Sequence, residues 1–248
     1  MQRGGHIDLE QAHAGTLLEM GAETTWGWGT PAGRRRVDAR IAWFARALDL
    51  RPGMRVLECG CGTGVFTRRL AGLGIALTAV DVSDALLREA ARACPAPNVT
   101  FVRTNLEYPV ELEDGAFDAI CGVSVLHHLD TKVALPAIRK KLKPGGRFAF
   151  SEPNLLNPLN KYVYFSSNPG TRKRVGSSPT EMAFTPQELR RELTSAGFTV
   201  RSLTHRDFLH PRTPPSLIPL VQLAASIAEA TPGVRRISGS LWVSGTRD

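Results

Sequence analysis

Glu58 is followed by three alternating glycines, Gly60, Gly62 and Gly64, and a second carboxylate, Asp81, comes about twenty residues later. Glycine admits positive φ and lets a ligand approach where a Cβ would collide, while amides at a following helix N-terminus point at that ligand. The run reads E-x-G-x-G-x-G, not the G-x-G-x-x-G that cradles a dinucleotide pyrophosphate. A carboxylate just before the first glycine would repel a pyrophosphate and suits an amine or a positive charge. Asp81, at the end of the next apolar segment, stands where a doubly wound sheet places an acceptor against ribose hydroxyls. Together the two acids describe a nucleoside with an amino-acid end.

These residues need a parallel sheet to position them. Strands are expected near 54–59, 76–81, 99–104, 117–123 and 146–151, with helices near 64–74, 83–94 and 131–142. Residues 1–50 read as a helical lid, with an apolar stripe through Ile41, Phe44, Ala45 and Leu48 after the link Trp26–Pro31. Residues 51–152 are expected to form the core that binds the ligand of the glycine loop, a cofactor. Residues 153–184 break the rhythm with Pro153, Pro158, Pro169 and Pro179 and are expected to be a cap over the acceptor. Thr185-Pro186-Gln187-Glu188 combines a capping box with proline at the first helical position, and Gly197 stops that helix. Residues 185–248 complete the sheet with strands at 198–205 and 239–245. Between them lies the apolar segment 214–230, too short to span a bilayer. A helix packed on the sheet or the lid is the plain reading of that segment; a substrate pocket, a dimer contact or membrane-surface docking stay open. The whole chain, 1–248, is expected to be one domain.

The acidic glycine loop and Asp81 resemble those of the class I S-adenosylmethionine-dependent methyltransferases, of the small-molecule "type 11" kind. Phe117–Leu129 resembles the family's fourth-strand segment, and Leu142–Arg147 resembles its turn before strand five. The resemblance covers residues 54–152 and implies an α/β, Rossmann-like, doubly wound seven-stranded sheet, mostly parallel, with the last strand antiparallel beside strand six. It implies S-adenosyl-L-methionine as cofactor and no metal. Glu58, Gly60, Cys61, Gly62 and Gly64 are then expected around the methionine portion, mostly through backbone atoms, with Glu58 reaching the amino group directly or through water. Asp81 is expected to accept from both ribose hydroxyls, Val82 to pack on adenine, and Asn105, beside Leu106, to accept from the adenine amine where many members carry Asp. Gly122 and Val123 are expected to line the sulfonium side, with Trp26 or Trp28 closing over the cofactor.

A sulfonium methyl is a strong electrophile, so such an enzyme mainly holds the acceptor in place and excludes water. A base is needed only for an acceptor that arrives protonated. His127 and His128, after strand four, are the candidates, since an imidazole takes a proton near neutrality; pocket shaping is the other reading of the pair. Glu152, Asn154 and Tyr162 are expected to bind the acceptor, with His205 and His210 as weaker candidates and Arg172, Lys173 and Arg174 facing any acidic group on it.

Composition narrows the acceptor class. The net charge of +8 is spread over dispersed arginines without interleaved aromatics, which argues against a nucleic-acid surface. Gly122-Val123-Ser124-Val125 stands where a nucleic-acid amine methyltransferase carries an Asp/Asn-Pro-Pro-aromatic motif. No apolar run is long enough for a membrane span, no signal-peptide core follows Met1, and the four cysteines lack C-x-x-C spacing, so a cytoplasmic location is expected; monomer and homodimer both stay open. A small, fairly apolar metabolite of lipid, quinone or secondary-metabolite type is the expected acceptor, for O-, N- or C-methylation. Cofactor binding without transfer is the alternative.

Overall fold

The computed structural model describes residues 15, 18, 21–168, 170–172 and 181–248. Among these, seven strands form one sheet: β1 (Arg55–Cys59), β2 (Ala76–Asp81), β3 (Val99–Arg103), β4 (Phe117–Val123), β5 (Leu142–Pro153), β6 (Thr199–Arg206) and β7 (Ser240–Thr246). Their order is β3-β2-β1-β4-β5-β7-β6. β7 alone runs against its neighbours, antiparallel to both β5 and β6. This is the expected seven-stranded Rossmann-like arrangement. The chain leaves β1 toward β2 and β3, then returns to β4 on the other side of β1, so the strand order reverses between β1 and β4. A ligand crevice opens at such a reversal, beyond the carboxyl ends of the strands.

Alternation of side chains sorts the core onto two faces. Leu57 and Cys59 of β1, Ile120 of β4, and Phe148 and Phe150 of β5 join one cluster. Val56, Ala119, Cys121 and Ala149 join another. Helices α5 (Thr131–Lys141) and α6 (Pro186–Ser195) cover the first face through Leu135, Ile138, Leu189 and Leu193. Helices α2 (Pro31–Ala47) and α3 (Thr67–Ala71) cover the second through Phe44 and Leu70. The lid expected over residues 1–50 is therefore divided: α2 is a sheet-face helix that reaches the crevice through Arg36 and Arg40, while the segment before it, with α1 (Ala22–Thr25), reaches the crevice through residues 24–28.

Local chemistry explains the helix starts. Thr30 accepts from Gly33 N with Pro31 at the first position of α2, Ser83 caps α4 (Asp84–Ala93), and Asp130 caps α5. Thr185 and Glu188 form the expected capping box on α6. The turn expected at 142–147 lies within β5, where the register with β4 shifts between Phe117 and Ala119.

Gly245 lies where β6 crosses β7 most tightly: a Cβ there would stand 1.9 Å from the Thr199 carbonyl oxygen. Backbone cannot yield as a flexible side chain does, so Gly245→Ala is expected to cost about 1–3 kcal/mol or more. A urea midpoint equal to that of the unsubstituted chain would contradict this packing.

Candidate cofactor and acceptor site

A cavity of about 960 Å³ opens at the reversal point, walled by the loops after β1, β2, β3, β4 and β6 and by the 153–165 segment. Its floor is the glycine loop. Gly62 has φ 54°, its amide donates to Asp81 Oδ2 at 3.0 Å, and a Cβ there would stand 3.3 Å from the Trp26 ring. Asp81 is half-buried, and its Oδ1 accepts from Ser83 N at 3.0 Å. Burial raises the Asp81 pKa, while the Ser83 and Gly62 amides and nearby His128 oppose that rise. Gly60, Cys61, Val82, Asn105, Leu106 and Val123 also line the cavity. The Asn105 side chain is turn-forming as well: its Oδ1 accepts from Glu107 N at 2.9 Å.

Three of the loop and strand residues expected at the ligand stand behind the wall. Glu58 is buried and accepts from Thr67 Oγ1 at 2.7 Å, tying the end of β1 to α3. Burial pushes its pKa up to about 8, with the Asp81 charge adding to the rise and the Thr67 hydrogen bond opposing it. Gly64 packs against Ala90 of α4, where a Cβ would come 3.1 Å from the Ala90 Cα. Gly122 admits Val125, Cys59 O and Phe150 within 3.1 Å of an imagined Cβ. Each lets the wall close up and does not itself face the cavity. Trp28 does line it, but its ring face is taken by Arg36 and Arg40, whose Cζ atoms lie 4.8 and 5.2 Å from the centroid.

At the other end, His127 and His128 lie on a 3-10 turn, Leu126–His128, after β4. Glu152, wholly buried on β5, accepts from Val125 N (3.1 Å) and Leu126 N (3.0 Å) through Oε1 and meets His127 Nδ1 at 2.8 Å through Oε2. When Glu152 accepts from Nδ1, Nε2 carries the lone pair. The His127 ring lines the cavity, stacked on His128 (centroids 4.2 Å) and edge-on to Phe165 (5.7 Å). His128, His127 and Glu181 each bring a donor atom within 4.8 Å of the others.

The acceptor contacts expected of Glu152, Asn154 and Tyr162 are corrected by these positions. Glu152 acts behind His127. Asn154 is fully buried and donates to the carbonyls of Arg236 (2.9 Å) and Ser238 (2.8 Å), pinning the turn before β7. Tyr162, on the π-helical turn Asn160–Tyr164, is exposed and stands off the cavity wall. Arg172 donates to the Glu181 carbonyl, and Lys173 and Arg174 lie outside the described residues. His210 lines the cavity, its pKa lowered by burial and by the Arg36 charge, whereas His205 lies on β6.

A buried charge cluster was not foreseen. Asp207, with φ 83°, receives Arg36 Nη2 and Arg40 Nη2 at 2.6 Å each. Arg40 Nε also donates to Ser151 Oγ at 3.1 Å and its Nη2 to Ser240 Oγ at 3.0 Å. Burial alone would raise the Asp207 pKa; the two guanidiniums outweigh it and hold the group well below the usual carboxylate range. Arg36, Arg40 and Asp207 all line the cavity, so that wall carries a net positive charge. One signal was available: Val37, Arg40 and Phe44 follow a helical stripe of buried positions. Arg40 interrupts it as a charge on a core face.

Comparison with known proteins agrees with this fold. Residues 57–150 match the family model described as "Methyltransferase domain". A demethylmenaquinone methyltransferase of Tropheryma whipplei is 31% identical over 150 residues, covering 58% of this chain and 62% of that protein. A protein of Talaromyces variabilis named S-adenosyl-L-methionine-dependent Diels-Alderase is 29% identical over 166 residues, covering 59% of this chain and 54% of that one. The chain thus spans less than two thirds of the length of either relative. An S-adenosylmethionine-dependent methyltransferase structure from Mesorhizobium loti superposes with a TM-score of 0.61 at 20% identity, covering 85% of this chain and 100% of the other.

Two outcomes follow from the buried acids. Folded Glu58 keeps its proton up to about pH 8 while an unfolded one loses it near 4.5, so the folded state binds more protons between those values. Stability from this group is full below the lower value and declines as pH rises toward 8. Glu58→Gln should flatten the fall in Tm between pH 5 and 8.5; parallel curves for the two proteins would refute the assignment. Asp207→Asn leaves two guanidiniums without their counter-charge and should cost about 3–5 kcal/mol in urea unfolding. A cost below about 1 kcal/mol would show that the cluster is not a structural anchor.

Proposed function

We propose that this chain, whose residues 57–150 match the family model described as "Methyltransferase domain", transfers the methyl group of S-adenosylmethionine to a small, fairly apolar acceptor. The observation that carries this reading is the Glu152–His127 pair on the wall of a cavity whose other end holds Asp81. Bound S-adenosylmethionine supplies an activated methyl on a sulfonium. The residues present fit it. Asp81 offers carboxylate oxygens to a vicinal diol at the lip of a loop kept open by glycine. Val82 and Leu106 give apolar walls for the base, and Asn105 stands beside them. Arg36 brings positive charge to the wall, complementary to the carboxylate of an amino-acid end.

His127 then serves as the base. Its Nε2 would take the proton from a hydroxyl, phenol or acidic carbon of the acceptor. Glu152 keeps the ring in the tautomer that leaves Nε2 free and stabilises the imidazolium that results, the role of the acid in any acid–histidine pair. Glu152 is thereby a positioning residue. Leu159, Val163, Phe165 and Leu209 make the acceptor end apolar, and Trp26 with the 24–28 segment excludes water. A quinol or phenol type acceptor suits these walls and is in keeping with the name of the Tropheryma relative.

A second reading, cofactor binding without methyl transfer, is favoured by the likeness to the protein named a Diels-Alderase. Incubation with methyl-labelled S-adenosylmethionine and a panel of quinols, phenols and lipids separates the two. Transfer is expected to fall about 10²–10⁴-fold in His127→Ala and to fall also in Glu152→Gln, with cofactor affinity unchanged in both. Equal rates in His127→Ala would remove the base assignment, and cofactor binding with no labelled product from any acceptor would establish the second reading.

A further inference from the structure

Among the described residues an apolar strip stands exposed at the rim of the cavity. Helix α7 (Ile218–Ala230) buries Ile218 and part of Val221 against Ala32 and Leu209. Leu220, Leu223 and Ile227, three and four residues apart and so on one helix face, are 65%, 62% and 62% exposed. Leu217 before the helix, and Val234 and Ile237 after it, continue the exposed strip. The helix expected to pack on the sheet or the lid does meet Ala32 of the expected lid region, but at one edge only among the described residues.

The strip is continuous with the cavity. Phe208–Arg212 line it and lead directly into α7. Asn157, also on the wall, donates to the Ile237 carbonyl at 2.7 Å, and Asn160 donates to Gly239 O at 2.9 Å. Leu159 both lines the cavity and is 40% exposed, and Tyr162 on the same segment is exposed beside Lys161.

Charge decides what fits this surface. From Phe208 to Gly239 the sequence holds Arg212, Arg235 and Arg236, all exposed, against the single acid Glu229, which pairs with Arg206 at 2.5 Å. Arg235 and Arg236 add to burial in holding His205 below its ordinary pKa. A second copy of the chain, itself carrying +8, would bring like charge to the same rim. At 1.5 Å per residue a 13-residue helix is about 20 Å long, and among the described residues no helix is long and apolar enough to cross a membrane. Apolar side chains fringed by arginine are what an anionic lipid surface takes from a helix lying in its plane.

We propose that α7 and the turn after it seat the protein on an anionic phospholipid surface. The apolar strip enters the acyl boundary, Arg212, Arg235 and Arg236 meet lipid phosphates, and the cavity mouth faces the layer where apolar acceptors dissolve. Only that last step rests on the proposed methyl transfer; the docking itself is read without it.

The test is co-sedimentation of the full chain with vesicles of phosphatidylcholine alone and with 30% phosphatidylglycerol. Binding at least tenfold stronger to the anionic vesicles, weakened by salt, is expected. Leu220→Ser/Leu223→Ser/Ile227→Ser should weaken it at least tenfold. Arg235→Gln/Arg236→Gln should reduce anionic-vesicle binding about tenfold or more. Both variants should keep the Tm and the affinity for S-adenosylmethionine, because these side chains are exposed; if the serine variant unfolds, the arginine variant decides. No binding of the unsubstituted chain to anionic vesicles would overturn the proposal. So would self-association in sedimentation velocity that the serine variant abolishes, since a second copy would then be the occupant. Vesicle binding without methyl transfer would leave the docking standing and remove the transfer reading alone.

Discussion

One buried carboxylate holds the candidate site together. Glu152 has no exposed surface, and a carboxylate placed there is tolerated only with its hydrogen bonds met. It accepts from two consecutive amides of the segment after β4 and from the imidazole that follows them. That segment is itself strained: Ser124 has φ 52° and its amide donates across to the Ser151 carbonyl of β5. The same acid thus ties the turn after β4 and the His127 ring to β5, beside the place where the strand order reverses. Replacing it by an apolar residue would release both at once.

A second buried charge system fastens the outer wall. Asp207 draws together Arg36 and Arg40 of α2, while Arg40 reaches Ser151 of β5 and Ser240 of β7. An ion pair removed from water gains little net stability, but it permits one arrangement and penalises others. Here it joins the helix before β1 to the end of β6 and the start of β7, segments far apart in sequence that both line the cavity. Trp28 and Trp242 lie against Arg40 and exclude water from it.

Much of this was legible in the residues. The alternating apolar runs gave strands within a few residues of those observed, because buried parallel strands leave an unmistakable apolar signature. The glycine loop and Asp81 pointed to the crevice that the structure opens at the strand reversal, since positive φ and a carboxylate at a strand end are local properties. Long-range partners were not legible. Glu58 reads as a ligand contact until Thr67 is seen above it, Glu152 reads as a rim residue until its three donors are seen, and nothing near Asp207 in sequence announces two arginines. For α7 the composition was read correctly as apolar. Whether a sheet would cover it depended on where the chain entered and left the helix, which no local pattern records.

The central claim is that the cavity at the β1–β4 reversal holds S-adenosylmethionine with Asp81 as its ribose anchor. Calorimetric titration of S-adenosylmethionine into the unsubstituted chain and into Asp81→Ala addresses it most directly, with nicotinamide nucleotide as a control. Hydrogen bonds to a charged partner contribute about 1.5–3 kcal/mol each, so two of them predict micromolar binding weakened about 100-fold or more by the substitution. Equal affinity in both proteins, or tight binding of the nicotinamide nucleotide in place of S-adenosylmethionine, would contradict it.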